Sequence, residues 1–139
     1  PETFLSSRNL LNVTQQVSML AVVAFAMTAV MAAGDFDLSV GSTASLAGVA
    51  AAVLMAAGAP VWAGVGAGLL AGLLVGLLNG ALVAYAGILP FVATLGTLTV
   101  VSGAAFLVSD GRTVFGPSIP ESFGAFARAS LLGVPALTW

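Results

Sequence analysis

The sequence predicts an all-α fold, a polytopic bundle of transmembrane helices, on three observations. Only 8 of 139 residues are charged, whereas a soluble chain of this length carries about 35. No Asp, Glu, Lys or Arg occurs from Leu38 to Ser109, a run of 72 residues. Hydrophobic residues make up 60% of the chain, more apolar surface than a core of this size can hide from water. The solvent for most of it is therefore lipid, and the breaks in the apolar run mark four spans within one membrane domain covering residues 1–139.

The first span is expected at Thr14 to Gly34. Its 21 residues hold an almost unbroken apolar run from Val17 to Ala33, and at about 1.5 Å per residue they cross a hydrocarbon layer about 30 Å thick. A secretory signal is not expected, because only Arg8 precedes the run and carboxylates follow it in place of a small-residue cleavage site. The second span, Ser39 to Gly58, ends where Pro60 forbids further helix. The third, Val61 to Ala86, has 26 residues, about 39 Å of helix, and so tilts or protrudes. The fourth, Leu89 to Val108, opens with Pro90 where a missing N–H costs least. These runs are continuous and far longer than the roughly ten alternating residues of a barrel strand.

Residues 109–139 differ in kind, with half of the charges, Pro117, Pro120 and Pro135, and Phe115, Phe123 and Phe126. They read as an extramembrane or interfacial connection. Two readings stand for Glu121 to Leu132, a short surface helix at headgroup level or an ordered loop packed on the bundle. The chain opens at Pro1 and closes at Trp139 without a charged tail, as a piece of a longer protein does.

Composition excludes several functions. Cysteine, histidine and lysine are all absent, which removes disulfides, thiolate metal sites, the usual general base and any Walker lysine. Three arginines and a net charge of −2 leave nothing to neutralise phosphates, so no nucleic acid is expected as a partner. Gly66-Ala67-Gly68-Leu69-Leu70-Ala71 matches a dinucleotide fingerprint in letters only. That motif works as a turn between strand and helix, and these residues lie inside an apolar helix. Neither an enzyme activity nor a cofactor or metal is expected.

The residues left to carry function are few. Gly64, Gly68, Gly72, Gly76 and Gly80 recur every fourth residue and form one face without side chains, suited to close helix packing in lipid, with a direct place in a solute path as the other reading. Asp35-Phe36-Asp37-Leu38-Ser39 joins two spans. Asp37 or Ser39 can accept hydrogen bonds from the first N–H groups of the next helix, and the alternative is a part in a polar pathway. Asn79 is the one amide within the later spans, so it faces another helix or a wet cavity. Thr94 and Thr97 share a face and either line a path or bond their own helix.

Taken in order, Gln15-Gln16-Val17-Ser18, Gly34-Asp35-Phe36-Asp37-Leu38-Ser39-Val40-Gly41-Ser42, Leu78-Asn79-Gly80 and Pro90-Phe91-Val92-Ala93-Thr94-Leu95-Gly96-Thr97 resemble the permease subunit of ribose-type monosaccharide ABC importers. The resemblance runs through Ser109-Asp110-Gly111 and Gly133-Val134-Pro135 as well. It implies an inner-membrane protein of roughly ten spans, paired with a second permease subunit, cytoplasmic ATP-binding subunits and a periplasmic sugar-binding protein. Ribose-like sugar then crosses between the permeases, on energy from the partner ATPase. The resemblance also implies a cytoplasmic Tyr85 to Leu89 turn and a periplasmic 109–139 segment. Asp35 departs from the pattern by adding a second carboxylate beside Asp37. The competing functions are an ion-coupled secondary transporter, with Asp37 at a helix break, and a structural bundle subunit without a solute path.

Overall fold

The computed structural model describes residues 4–131 and 134–135. Four apolar helices follow one another: α1 (Ser7–Ala32), α2 (Val40–Ala56), α3 (Val61–Ala84) and α4 (Pro90–Val108). α1, α3 and α4 are long and apolar enough to cross a membrane. A 3-10 turn (Gly116–Ser118) and a short α5 (Glu121–Arg128) come next. Beyond them a two-residue antiparallel ladder pairs β1 (Ser130–Leu131) with β2 (Val134–Pro135). The fold is a helical transmembrane bundle.

Helix ends depart from the expected bounds for local reasons. α1 starts at Ser7, ahead of the expected Thr14, because the Ser6 hydroxyl accepts the Asn9 N–H at 3.3 Å and nucleates a polar first turn that hydropathy does not register. It stops at Ala32, where Gly34 adopts φ +89° and the Asp35 N–H reaches back to the Val30 carbonyl at 3.2 Å. α2 ends the same way, with Gly58 at φ +92° and the Ala59 N–H on the Leu54 carbonyl. In both, a left-handed glycine closes the last turn before any proline acts. α2 thus keeps 17 residues, about 26 Å of helix, shorter than a full span. α5 ends at Arg128 and gives way to the ladder; Leu132, where the surface helix was expected to stop, lies outside the described residues.

α2 is the hub, packing along both α3 and α4, while α1 makes only marginal contact with these three. Close approach of α2 and α3 rests on two glycines. A Cβ on Gly68 would sit 2.9 Å from the Ala47 carbonyl oxygen, and one on Gly64 would sit 2.6 Å from the Met55 Cγ. Met55 fills the space beside Gly64 at 3% exposure. Val75, Ala93, Val101 and Ala105 complete a small apolar core. The rest of the bundle's apolar surface faces outward, with Leu69, Phe25 and Leu107 each more than 70% exposed. In water that would be untenable, and in lipid it is the ordinary outer surface of a membrane helix. The chain is a membrane protein.

Candidate functional site

The membrane-embedded half of the molecule buries more polar than large apolar side chains at one level. Ser39, Ser42, Asn79, Thr94 and Thr97 are all under 9% exposed. They gather where α1 turns into α2, opposite the C-terminal part of α3 and the start of α4.

Local chemistry sets this cluster up. Past the Gly34 turn residues 35–37 are neither helix nor strand and the chain bends at Leu38, and Asp37 folds its carboxylate over the start of α2. Asp37 Oδ1 accepts both the Ser39 backbone N–H at 2.7 Å and the Ser39 hydroxyl at 2.6 Å. Of the two residues expected to cap, Asp37 takes an N–H at the head of α2 and Ser39 does not. Ser39 sits at the N-cap, but its hydroxyl is spent on Asp37 and takes no N–H of the first helical turn. Ser42 donates back to the Ser39 carbonyl at 2.8 Å.

α3 brings in the long-range partner. Asn79 Nδ2 donates to Ser39 Oγ at 2.8 Å, completing a relay from Asn79 through Ser39 to Asp37. Ser39 is wholly buried at the centre of that relay. The other Asn79 amide atom, Oδ1, has no hydrogen-bond partner and less than 1 Å² of exposure. A buried acceptor left so is costly, by about 1 to 3 kcal/mol.

α4 contributes threonines whose hydroxyls are largely satisfied within their own helix. Thr94 Oγ1 donates to the Pro90 carbonyl at 2.8 Å and lies 3.4 Å from the Phe36 carbonyl, while Thr97 Oγ1 donates to the Thr94 carbonyl at 3.1 Å. Pro90 stands at the first position of α4, where it has no N–H to leave unpaired.

A cavity of about 440 Å³ opens against this cluster, with Asp35, Asp37, Asn79 and Thr94 in its wall and Gly76 and Gly80 forming a floor without side chains. Of the five residues expected on a pathway, the structure brings Asp37, Asn79 and Thr94 to the cavity. Ser39 stands behind them as the connecting hydroxyl, and Thr97 lies outside the cavity wall. Asp35, Gly76 and Gly80 also line it, the glycines by the second of the two readings given for their face. The glycine periodicity holds the signal for the last two, since the stripe divides: Gly64 and Gly68 meet α2, Gly72 only reaches Thr43 at 4.0 Å, and a Cβ on Gly76 or Gly80 would touch nothing. Among the described residues no cluster of acidic side chains, histidine or cysteine is arranged to hold a metal. A larger hollow of about 690 Å³ lies by α5, between Pro117, Pro120, Glu121 and Phe123, but it has no buried polar side chain to recognise a ligand and is set aside.

A family model described as the branched-chain amino acid transport system / permease component matches residues 9–133. The chain belongs to that permease family. Among curated proteins it is 42% identical over 126 residues to the autoinducer 2 import system permease protein LsrD of Klebsiella pneumoniae, covering 88% of this chain and 38% of that one. It is 38% identical over 133 residues to the ribose import permease protein RbsC of Bacillus subtilis, covering 96% and 41%. With the L-arabinose transport system permease protein AraH of Escherichia coli it shares 42% over 123 residues, covering 88% and 37%. This permease chain spans about two fifths of the length of the curated relatives it matches. No solved structure matches it. The relatives named for ribose and L-arabinose agree with the resemblance carried by the Asp37 and Thr94 strings, and all are permease subunits.

Proposed function

We propose that this chain is part of the membrane-spanning permease of a sugar ABC importer of the cell inner membrane. In this reading it pairs with a second permease subunit, takes its energy from cytoplasmic ATP-binding subunits and receives sugar from a periplasmic binding protein. ATP hydrolysis belongs to the partner. The observation that carries the proposal is the placement of Asp37, Asn79 and Thr94 around one cavity within otherwise apolar helices, in a chain similar to permeases named for ribose, L-arabinose and D-allose.

Ionisable side chains inside a membrane bundle are expensive and are functional candidates by default, and Asp35 and Asp37 both stand in the wall of this cavity. Gly76 and Gly80 leave backbone exposed beside them, so a hydroxylated solute can approach α3 without displacing side chains. The Asp37–Ser39–Asn79 relay holds the wall of the route, and Gly64 and Gly68 hold α3 against α2, so that the two move together.

Reconstitution tests the reading. The complete permease, with its ATP-binding subunits and binding protein in proteoliposomes, is expected to take up labelled ribose or arabinose only when ATP and binding protein are both present. Uptake driven by a proton or sodium gradient without ATP would transfer the chain to the ion-coupled carriers. No uptake of any sugar, with cavity residues insensitive to substitution, would leave a structural bundle.

A further inference from the structure

α2 and α3 run antiparallel in a register fixed by their contacts. A Cβ on Gly64 meets the Ala51 carbonyl, one on Gly68 the Ala47 carbonyl and one on Gly72 the Thr43 side chain. The Asn79–Ser39 hydrogen bond is the last step of that series, because Ser39 is the N-cap of α2. The 17 residues of α2 and the 17 residue steps from Trp62 to Asn79 on α3 both measure about 26 Å. α2 therefore begins at the depth of Asn79 and ends at the depth of Trp62. Tyr85, the C-cap of α3, lies six residues past Asn79, about 9 Å further along the helix and beyond the head of α2.

The turn that carries Asp35 and Asp37 is tied to that head through Ser39, so it stops short of the Tyr85 end. Thr94 repeats the offset on α4: its Oγ1 lies 3.4 Å from the Phe36 carbonyl, one helical turn inside the start of α4 at Pro90. The cavity occupies the gap that this leaves. On α3 its lining runs from Gly76 to Ala84, and α1 contributes only Val30, two residues before its end. No lining residue comes from the Trp62 half of α3, where the bundle closes over Met55, Val101 and Ala105, each at 6% exposure or less. Carboxylates at this depth need a cation or water, and the one ion pair among the described residues, Arg112 with Asp110, lies beyond the end of α4. We infer that the α1–α2 turn is submerged in the membrane as the floor of a water-filled vestibule, entered from the Tyr85 end of the bundle and closed toward the Trp62 end. Within these helices the barrier to the far side is the core below the turn. The inference stands on helix register and depth, and so holds whatever solute the permease carries.

Single cysteines in the complete permease, with any other cysteines replaced, test this in sealed membrane vesicles of both orientations. Ala86→Cys and Ala57→Cys mark the two surfaces, since Ala86 follows Tyr85 and Ala57 closes α2. Gly80→Cys stands in the cavity, where a Cβ meets nothing, and Gly76→Cys, equally open, serves if the first variant fails to fold. Leu77→Cys is the depth control, at the same level of α3 but 61% exposed and outside the cavity lining. The thiolate is the reactive form and apolar surroundings suppress it, so a membrane-impermeant methanethiosulfonate should label Gly80→Cys at least about tenfold faster than Leu77→Cys. That labelling is expected from the side that labels Ala86→Cys, and only background from the side that labels Ala57→Cys. Labelling of Gly80→Cys from the Ala57 side, equal rates at Gly80 and Leu77, or both surface markers on one side would each overturn the inference. Unreactive thiols at both Gly80 and Gly76 would do so too, since the cavity would then be closed to water. Labelling needs neither ATP nor sugar, so it is independent of the uptake assay: one-sided labelling without uptake sinks the importer reading alone, and uptake without one-sided labelling sinks the vestibule alone.

Discussion

Asn79 and Ser39, forty residues apart in sequence, meet through a 2.8 Å hydrogen bond that fastens the C-terminal part of α3 to the head of α2. Both residues are buried, and Ser39 passes the bond on to Asp37 at 2.6 Å. The loop after α1 and the third helix are thus held by one serine hydroxyl that donates on one side and accepts on the other. Hydrogen bonds between membrane helices are worth only about 0.6 to 2 kcal/mol each, so the relay positions the cavity wall more than it stabilises the bundle.

Asn79→Leu keeps the branching and the heavy-atom count of the side chain, with bulkier methyl ends, and removes both amide atoms. It takes the donor from Ser39 Oγ and also relieves the unpartnered Oδ1, so the two effects partly cancel. The expected loss of stability is small, about 0.5 to 1.5 kcal/mol, read as a drop in unfolding temperature in detergent, while sugar uptake falls by far more. A stability loss above about 3 kcal/mol would show that Asn79 is chiefly a structural tie.

Asp37→Ala and Asp37→Asn separate the cap from the charge. Both hydrogen bonds from Ser39 end on one oxygen, Oδ1, and asparagine keeps an acceptor there. Asp37→Ala should cost about 1 kcal/mol of stability and Asp37→Asn a few tenths. Equal losses in thermal unfolding would mean that the negative charge, and not the oxygen, holds the turn.

The glycine stripe carries opposite expectations along one helix. A Cβ on Gly68 meets backbone, the Ala47 carbonyl, at 2.9 Å, and backbone cannot rotate away. Gly68→Ala should therefore separate α2 from α3 and destabilise by about 1 to 3 kcal/mol. Gly76→Ala meets open space and should be neutral or stabilise by up to about 1 kcal/mol through helix propensity. Paired unfolding curves in detergent decide it, and equal effects would refute the division of the stripe.

That division illustrates what the sequence could and could not tell. A four-residue repeat announces a face without side chains, but which helix comes to it is a tertiary fact, so Gly64 and Gly76 look alike in sequence and differ in contact. Pro90 marks the start of α4 because its missing N–H is a local property. Asp37, Asn79 and Thr94 stood out as polar residues in an apolar run, whereas their convergence on one cavity depends on the turn at Gly34 and the register of α3 against α2. Asp35 was visible as a surplus carboxylate, and its place in the cavity wall was not. The early start of α1 at Ser7 escaped a reading by hydropathy because the first turn is stabilised by capping.

α3 ends in two exposed aromatics, Trp62 at 78% and Tyr85 at 91% exposure, 23 residues apart and so separated by about 35 Å along the helix. That spacing slightly exceeds a hydrocarbon layer about 30 Å thick, which puts one ring at each interface, where amphipathic aromatics are favoured. Between them α3 carries no charged residue, so the pair fixes the depth of the helix and with it the depth of Asn79, about three quarters of the way from Trp62 to Tyr85. In a Trp139→Phe background Trp62 is the remaining tryptophan of this segment. Its fluorescence should be quenched several-fold more by lipids brominated near the headgroup than by lipids brominated near the chain ends. Stronger quenching from the chain ends would place Trp62 near the bilayer centre and shift the cavity to a headgroup region, where a buried polar relay has no transport role to play.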